Sequence, residues 1–121
     1  MKVQCEQIIN DETGEIADED SWLTVGKVYD VLSVSINENS GIEYRLMADD
    51  NYTPALFKAN QFKVVCSVLP SNWVANSEPN SYFELAPKSW TQSGFWEEYF
   101  DQESNAISIF DTEKEKIISY S

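Results

Sequence analysis

The chain has no histidine. That removes the usual general base near neutral pH, the commonest metal ligand, and any Ser–His or Cys–His nucleophile. The two cysteines, Cys5 and Cys66, supply neither a metal-ligand spacing nor a disulfide framework. Four scattered glycines leave no GxGxxG or Walker loop to cradle a phosphate. Basic residues are scarce as well: eight Lys and Arg stand against 21 Asp and Glu, for a net charge of −13. Nucleic-acid affinity comes largely from Lys and Arg releasing counterions, so direct binding to DNA, RNA or anionic lipid is not expected. No run approaches the ~20 apolar residues of a membrane span. The start, MKVQCEQIIN, lacks the apolar stretch of a signal peptide. These absences predict a cytoplasmic protein with reduced thiols. They also predict no enzyme, no cofactor, no metal and no membrane partner. Carboxylate pairs alone carry no catalytic signal among so many acids, and Gly14 stands at the wrong position for an EF-hand loop.

What is present argues for a packed core. Aromatic residues make up 13% of the 121 positions, which sets the chain apart from disordered acidic sequences. Its length suits one domain, or a small domain with an appendage.

The first two thirds read as short strands. Residues 2–9 form a first one. NDETGEIADEDSW then carries six acids and no base, a loop by composition. Val28 to Ile36 are dense in β-branched and aromatic residues, as in a long strand. After a polar turn at 37–41, IEYRLMA sets Ile42, Tyr44, Leu46 and Ala48 against Glu43, Arg45 and Met47, a period-2 strand. Asp49-Asp50-Asn51 makes the next turn. YTPALF is a short strand that Pro54 marks as an edge or a bulge. KAN reads as a turn or a single helical turn, and QFKVVCSV as the last strand. Five short strands in so short a span close most economically as a small curved antiparallel barrel, because closure removes exposed edges.

LTVGKVYDVL followed by YRLMADDNYTPALFKANQFKVV resembles the SH3-like barrel of small bacterial and phage proteins. The resemblance rests on Leu23, Gly26-Lys27, Tyr29, Val31-Leu32, the Asp-rich turn and the Phe57…Phe62-Lys63-Val64-Val65 ending. It implies a mainly β fold with α additions (α+β). Residues 1–69 would form the five-stranded SH3-like antiparallel barrel. Residues 70–121 would form a C-terminal extension packed on it, with one or two helices. In such barrels the first and last strands lie side by side, which would make Cys5 and Cys66 neighbours in the core.

Beyond Pro70 the pattern changes. Trp73 and Val74 read as anchors onto the barrel, and YFELAP as an added strand. In SGFWEEYFD, Phe95, Trp96, Tyr99 and Phe100 fall on one stripe of a helix, with Ser93 as N-cap. The tail is open between two readings. Ala106, Phe110, Glu113 and Ile117 follow helical spacing, and Thr112-x-x-Glu115 has the form of a capping box; AISIF and KIISY also suit a hairpin.

The acids concentrate in three base-free clusters: the loop at 11–20 with Asp18, Glu19 and Asp20, the turn at Asp49-Asp50, and Glu97, Glu98, Asp101 and Glu103. Aromatic residues dominate interface hot spots, so Tyr52 and Trp96 join these acids as candidate partner-binding residues. LPSNWV, FWEEYFD and the acidic, Ile-rich end are similar to bacterial immunity proteins that pair with secreted toxins, including those of contact-dependent growth inhibition. That resemblance implies an antitoxin that binds one cognate toxin, a basic nuclease domain for preference, and occupies or masks its active-site cleft. Two alternatives stand beside it. One is a phage-derived DNA mimic that inhibits a restriction enzyme or regulator. The other is an SH3-like adaptor that binds a peptide in a groove of Tyr29, Tyr44, Tyr52 and Trp73.

Overall fold

The computed structural model describes residues 1–9, 16–17, 22–78 and 82–120. Ten strands and two α-helices follow in the order β1 (Lys2–Cys5), β2 (Ile8–Ile9), β3 (Ile16–Ala17), β4 (Val28–Asp30), β5 (Ser33–Asn37), β6 (Gly41–Met47), β7 (Pro54–Lys58), β8 (Phe62–Cys66), β9 (Trp73–Glu78), β10 (Tyr82–Pro87), α1 (Phe95–Phe100) and α2 (Ser104–Tyr120). Single 3₁₀ turns at Ala59–Gln61 and Lys88–Thr91 complete the path.

The strands form two antiparallel sheets and a hairpin. One sheet runs β4-β1-β8, the other β7-β6-β5-β10-β9, and β2 pairs with β3. The chain passes between the sheets at Val31-Leu32. Both residues are buried, and Leu32 donates its N–H to the Arg45 carbonyl at 2.7 Å. The strand read over 28–36 is therefore two strands meeting at an inter-sheet bend. The turns between β5, β6 and β7 fall where Asn-, Asp- and Gly-rich chemistry places them.

The expected closed barrel does not form. The five-stranded sheet is open, with β7 and β9 at its edges. The physical reason lies in the second half of the chain. Tyr82–Leu85 of β10 pair with Asn37–Val34 of β5, so the edge that closure would have covered takes another hairpin instead. Residues on both sides of position 70 thus share one sheet.

The first and last strands of the expected barrel do lie together, but their register separates the thiols. Cys5 stands opposite Phe62 and Lys2 opposite Cys66. Three residues of strand rise put about 10 Å between the two cysteines, and the Cys5 thiol donates to the Gln7 carbonyl at 3.6 Å.

Between the sheets lies a core that includes Val3, Tyr29, Leu32, Tyr44, Leu46, Phe62 and Trp73. Trp73 anchors there as expected, whereas Val74 is exposed. The tail is helical, as α2, and buries Ala106, Phe110 and Ile117. Thr112 lies inside that helix and donates its hydroxyl to the Ser108 carbonyl four residues back, so it caps nothing. Ser93 is not the N-cap of α1 either. Gly94 takes that place at φ +80°, a left-handed conformation that a residue with a Cβ adopts only under strain.

Candidate interaction site

The Asp49–Thr53 turn is built by its own side chains. Asn51 donates its N–H to the Ala48 carbonyl at 2.9 Å and sits at φ +57°. The Asp50 carboxylate accepts the N–H groups of Tyr52 and Thr53, both at 2.9 Å, and the Thr53 hydroxyl at 2.7 Å. Those bonds, the Thr53 hydroxyl foremost, hold its carboxyl below the ordinary range. Asp50 is exposed; its charge is locally satisfied and still faces outward.

Asp49 has a different role. Its carboxylate accepts the Thr24 hydroxyl, the Tyr29 hydroxyl at 2.8 Å and the Lys27 ammonium at 3.0 Å. Its own N–H bonds to the Trp22 carbonyl. It ties the 22–29 segment to the β6–β7 turn, and among the expected contact residues it is a structural fastener. Burial pushes its carboxyl up, but the bonds from Thr24, Tyr29 and Lys27 outweigh this and leave it lowered. Asp49→Ala is expected to cost about 2 kcal/mol, the scale of a charge-assisted hydrogen-bond set. A group with a depressed folded pKa stabilises fully above its unfolded value, near ~4, and loses that effect as pH falls through the folded value. Urea unfolding should therefore show the gap between wild type and Asp49→Ala narrowing below that pH.

Opposite the turn stands α1. Phe95 is buried, Trp96 and Tyr99 are half-buried, and Phe100 points out. The helix stops where Gln102 turns left-handed at φ +63°, with Glu103 N–H closing onto the Glu98 carbonyl at 3.0 Å. A cleft of about 310 Å³ separates the two elements. Asn51, Tyr52 and Thr53 form one bank, and Tyr99, Phe100 and Gln102 the other, over a floor that includes Met47 and Phe110. Tyr52 is 72% exposed and Phe100 53% exposed, so an aromatic ring stands on each bank. Asp50 flanks the first ring. Glu97, Glu98, Asp101 and Glu103 are all exposed on the second element. Two of the three acidic clusters thus lie on the elements that form the banks, while the charged side chains lining the cleft itself are Asp111 and Lys114; Asp18, Glu19 and Asp20 lie outside the described residues.

Trp96 faces away from this cleft. Its ring lies 3.9 Å from the Arg45 guanidinium carbon and 5.6 Å from the Trp90 ring. It walls a second cleft, of about 360 Å³, over the five-stranded sheet, with Ser35, Glu43, Arg45, Tyr82 and Glu84 below and Trp90 to Gln92 beside it. Cross-strand register sets this arrangement: Ser35 stands between Glu43 and Glu84, and Ser33 beside Arg45. Arg45 donates to the Pro54 carbonyl at 2.7 Å. Neither Arg45 nor Glu84 is in an ion-pair contact among the described residues. Burial lowers the Arg45 guanidinium to about 10, against the opposing charges of Glu84, Tyr82 and Glu43. Burial likewise pushes the Glu84 carboxyl up, and the Tyr82 hydroxyl and the Arg45 charge only partly offset it. Arg45 Nε, Trp90 Nε1 and Ser33 Oγ are buried without a protein hydrogen-bond partner; each such group costs about 1–3 kcal/mol.

An acid whose folded pKa is raised is penalised by folding once ionised; the penalty is absent below its unfolded pKa and complete above the folded one. Glu84→Gln keeps the shape and removes the charge. It is expected to raise the unfolding free energy measured with urea at pH 7 by an amount on the order of 1 kcal/mol, a gain that disappears below about pH 4.

Comparison of the chain with protein-family models, with curated proteins and with solved structures found no match. Function must be sought in the two clefts. The second of them escaped the sequence reading, because Arg45 and Glu84 meet only through the pairing of β5 with both β6 and β10. The expected peptide groove is absent: Tyr29, Tyr44 and Trp73 are buried in the core and leave Tyr52 alone at the surface. No described helix is long and apolar enough to cross a membrane.

Proposed function

We propose that this chain is an acidic cytoplasmic immunity protein that neutralises a cognate toxin, a basic nuclease domain for preference, through the cleft between the Asp49–Thr53 turn and α1. The observation that carries this reading is the pair of exposed rings, Tyr52 and Phe100, on the two banks of one cleft, with the exposed acids Asp50 and Glu97, Glu98, Asp101 and Glu103 on the same two elements. Aromatic anchors inside a charged rim are the composition of an interaction hot spot. A net charge of −13 adds long-range attraction for a basic surface. A nuclease cleft is basic because it holds phosphates, so the same carboxylates that steer the encounter also exclude substrate. The likeness of LPSNWV and FWEEYFD to immunity proteins supplies the class of partner. The succession β1, β4–β5, β6, β7, β8 supports an SH3-like ancestry for the first half, opened by the β9–β10 hairpin.

The test is affinity capture from the producing cells, followed by assay of the captured protein. The expected result is a basic polypeptide whose nuclease activity is blocked at a one-to-one ratio. Its association rate should fall at least tenfold as ionic strength rises from ~0.01 to 0.15 M, as the Debye length shrinks from about 30 to 8 Å. A captured protein with unchanged activity, or an association rate indifferent to salt, overturns the proposal.

A further inference from the structure

The second cleft is lined by one guanidinium, Arg45, and two carboxylates, Glu43 and Glu84, and Arg45 is in ion-pair contact with neither. Arg45 is fixed from two sides, by the Pro54 carbonyl and by the face of Trp96. Glu84 is 7% exposed, on the same face of the sheet, two strands away. At about 4.8 Å per strand the backbones of β6 and β10 stand some 10 Å apart. The strand between them presents Ser33, Ser35 and, at its far end, Asn37 on that face, so only serines stand between Arg45 and Glu84. Small residues between two large charged ones leave a trough. Trp90, 2% exposed, lines the trough with its indole N–H unpartnered.

Buried charges are normally paired in contact, because desolvation otherwise goes uncompensated. Here each charge is desolvated and neither has an ion-pair partner among the described residues, in a space the size of a small-ligand pocket. What would satisfy both is a molecule with an anion at one end and a cation at the other. A lone cation leaves Arg45 unmatched. A phosphate or a nucleotide meets the repulsion of Glu84 and Glu43. A neutral polyol matches the hydrogen bonds and neither charge.

We propose that the Arg45–Glu84 cleft is a binding site for a small zwitterion of the free amino-acid class, its carboxylate directed to Arg45 and its ammonium to Glu84, beside the Trp90 ring. Asn76, Tyr82 and Gln92 line the same cleft and supply hydrogen-bonding groups for the remainder of the ligand. This site is separate from the acidic cleft proposed for the toxin. Its occupancy is tested without any partner protein, so either proposal can fail alone.

The chain contains four tryptophans, and their indole N–H resonances give a direct readout. Trp90→Phe assigns the relevant signal by its loss. The common L-amino acids are titrated one at a time up to about 10 mM, tenfold above a millimolar Kd. At least one is expected to shift the Trp90 resonance saturably. Its N-acetyl and its C-amide derivatives, which each remove one charge, should each bind at least about tenfold more weakly, the scale of one charge-assisted contact. Glu84→Gln, which is expected to fold at least as well as the wild type, should show the same tenfold loss. No saturable shift with any amino acid overturns the proposal. Equal binding of the capped derivatives, or undiminished binding by Glu84→Gln, overturns it as well.

Discussion

Phe110→Ala is expected to destabilise the protein by about 3–5 kcal/mol, the range for emptying a buried phenyl site. Phe110 is 1% exposed and is the ring on which the others converge. Trp90 stacks on it at 5.0 Å, Tyr99 approaches to 4.6 Å, and Trp96 meets it edge-on at 5.9 Å. These pairs come from three elements: α2, α1 and the 3₁₀ turn at Lys88–Thr91. No single neighbour can collapse into the void without dragging one of the others off its contacts, so the upper part of the range applies. A domain of this size holds only about 5–15 kcal/mol in total. The variant should therefore unfold at a much lower urea concentration, with an unchanged slope if the denatured state is unaffected. Phe110→Leu retains most of the volume and should lose less than half as much. If Phe110→Ala unfolds within ~1 kcal/mol of the wild type, the convergence of rings described here is not what holds α1 and α2 in place.

The second large effect concerns binding. Tyr52→Ala combined with Phe100→Ala is expected to weaken the complex with the cognate toxin by about 3–4 kcal/mol, several hundredfold in Kd. Both rings are mostly exposed, and surface truncations of this kind usually change stability by less than about 0.5 kcal/mol. Loss of affinity would then report contact and not unfolding. Most of the change should appear in the dissociation rate, since the acids that steer association remain. Reversing Asp101 and Glu103 to Lys should do the opposite, slowing association and flattening its salt dependence. A double variant that binds and inhibits like the wild type would move the contact away from this cleft.

Local pattern made much of this fold readable, and long-range pairing hid the rest. The strands at 41–47 and 54–58 were legible because alternation and turn chemistry act within a few residues of each other. The stripe Ala106, Phe110 and Ile117 was visible at helical spacing, yet AISIF and KIISY suited a hairpin equally, and only the folded chain decides for helix. Barrel closure was not legible. Whether the free edge of β5 meets β8 or β10 depends on pairing partners about 45 residues apart, on which local alternation is silent. The candidate sites divide along the same line. Tyr52 and the acids of 97–103 stood out by composition. Asp49 stood out equally, yet Thr24, Lys27 and Tyr29 claim its carboxylate, a role visible only once the 22–29 segment is folded against the turn. Arg45 and Glu84 each read as an ordinary polar position of an alternating strand. Only the sheet register, and Trp90 lying across it, makes them a pair.

The placement of α1 gives the two clefts a common wall. It is six residues long, about 9 Å by helical rise, and a left-handed residue bounds it at either end, Gly94 and Gln102. Trp96 belongs to one cleft and Tyr99 and Phe100 to the other. If both proposed ligands bind, linkage demands reciprocity: whatever factor the small ligand changes in affinity for the proposed toxin, the toxin must return in affinity for that ligand. A six-residue helix would thus act as the shared axis of a two-ligand equilibrium.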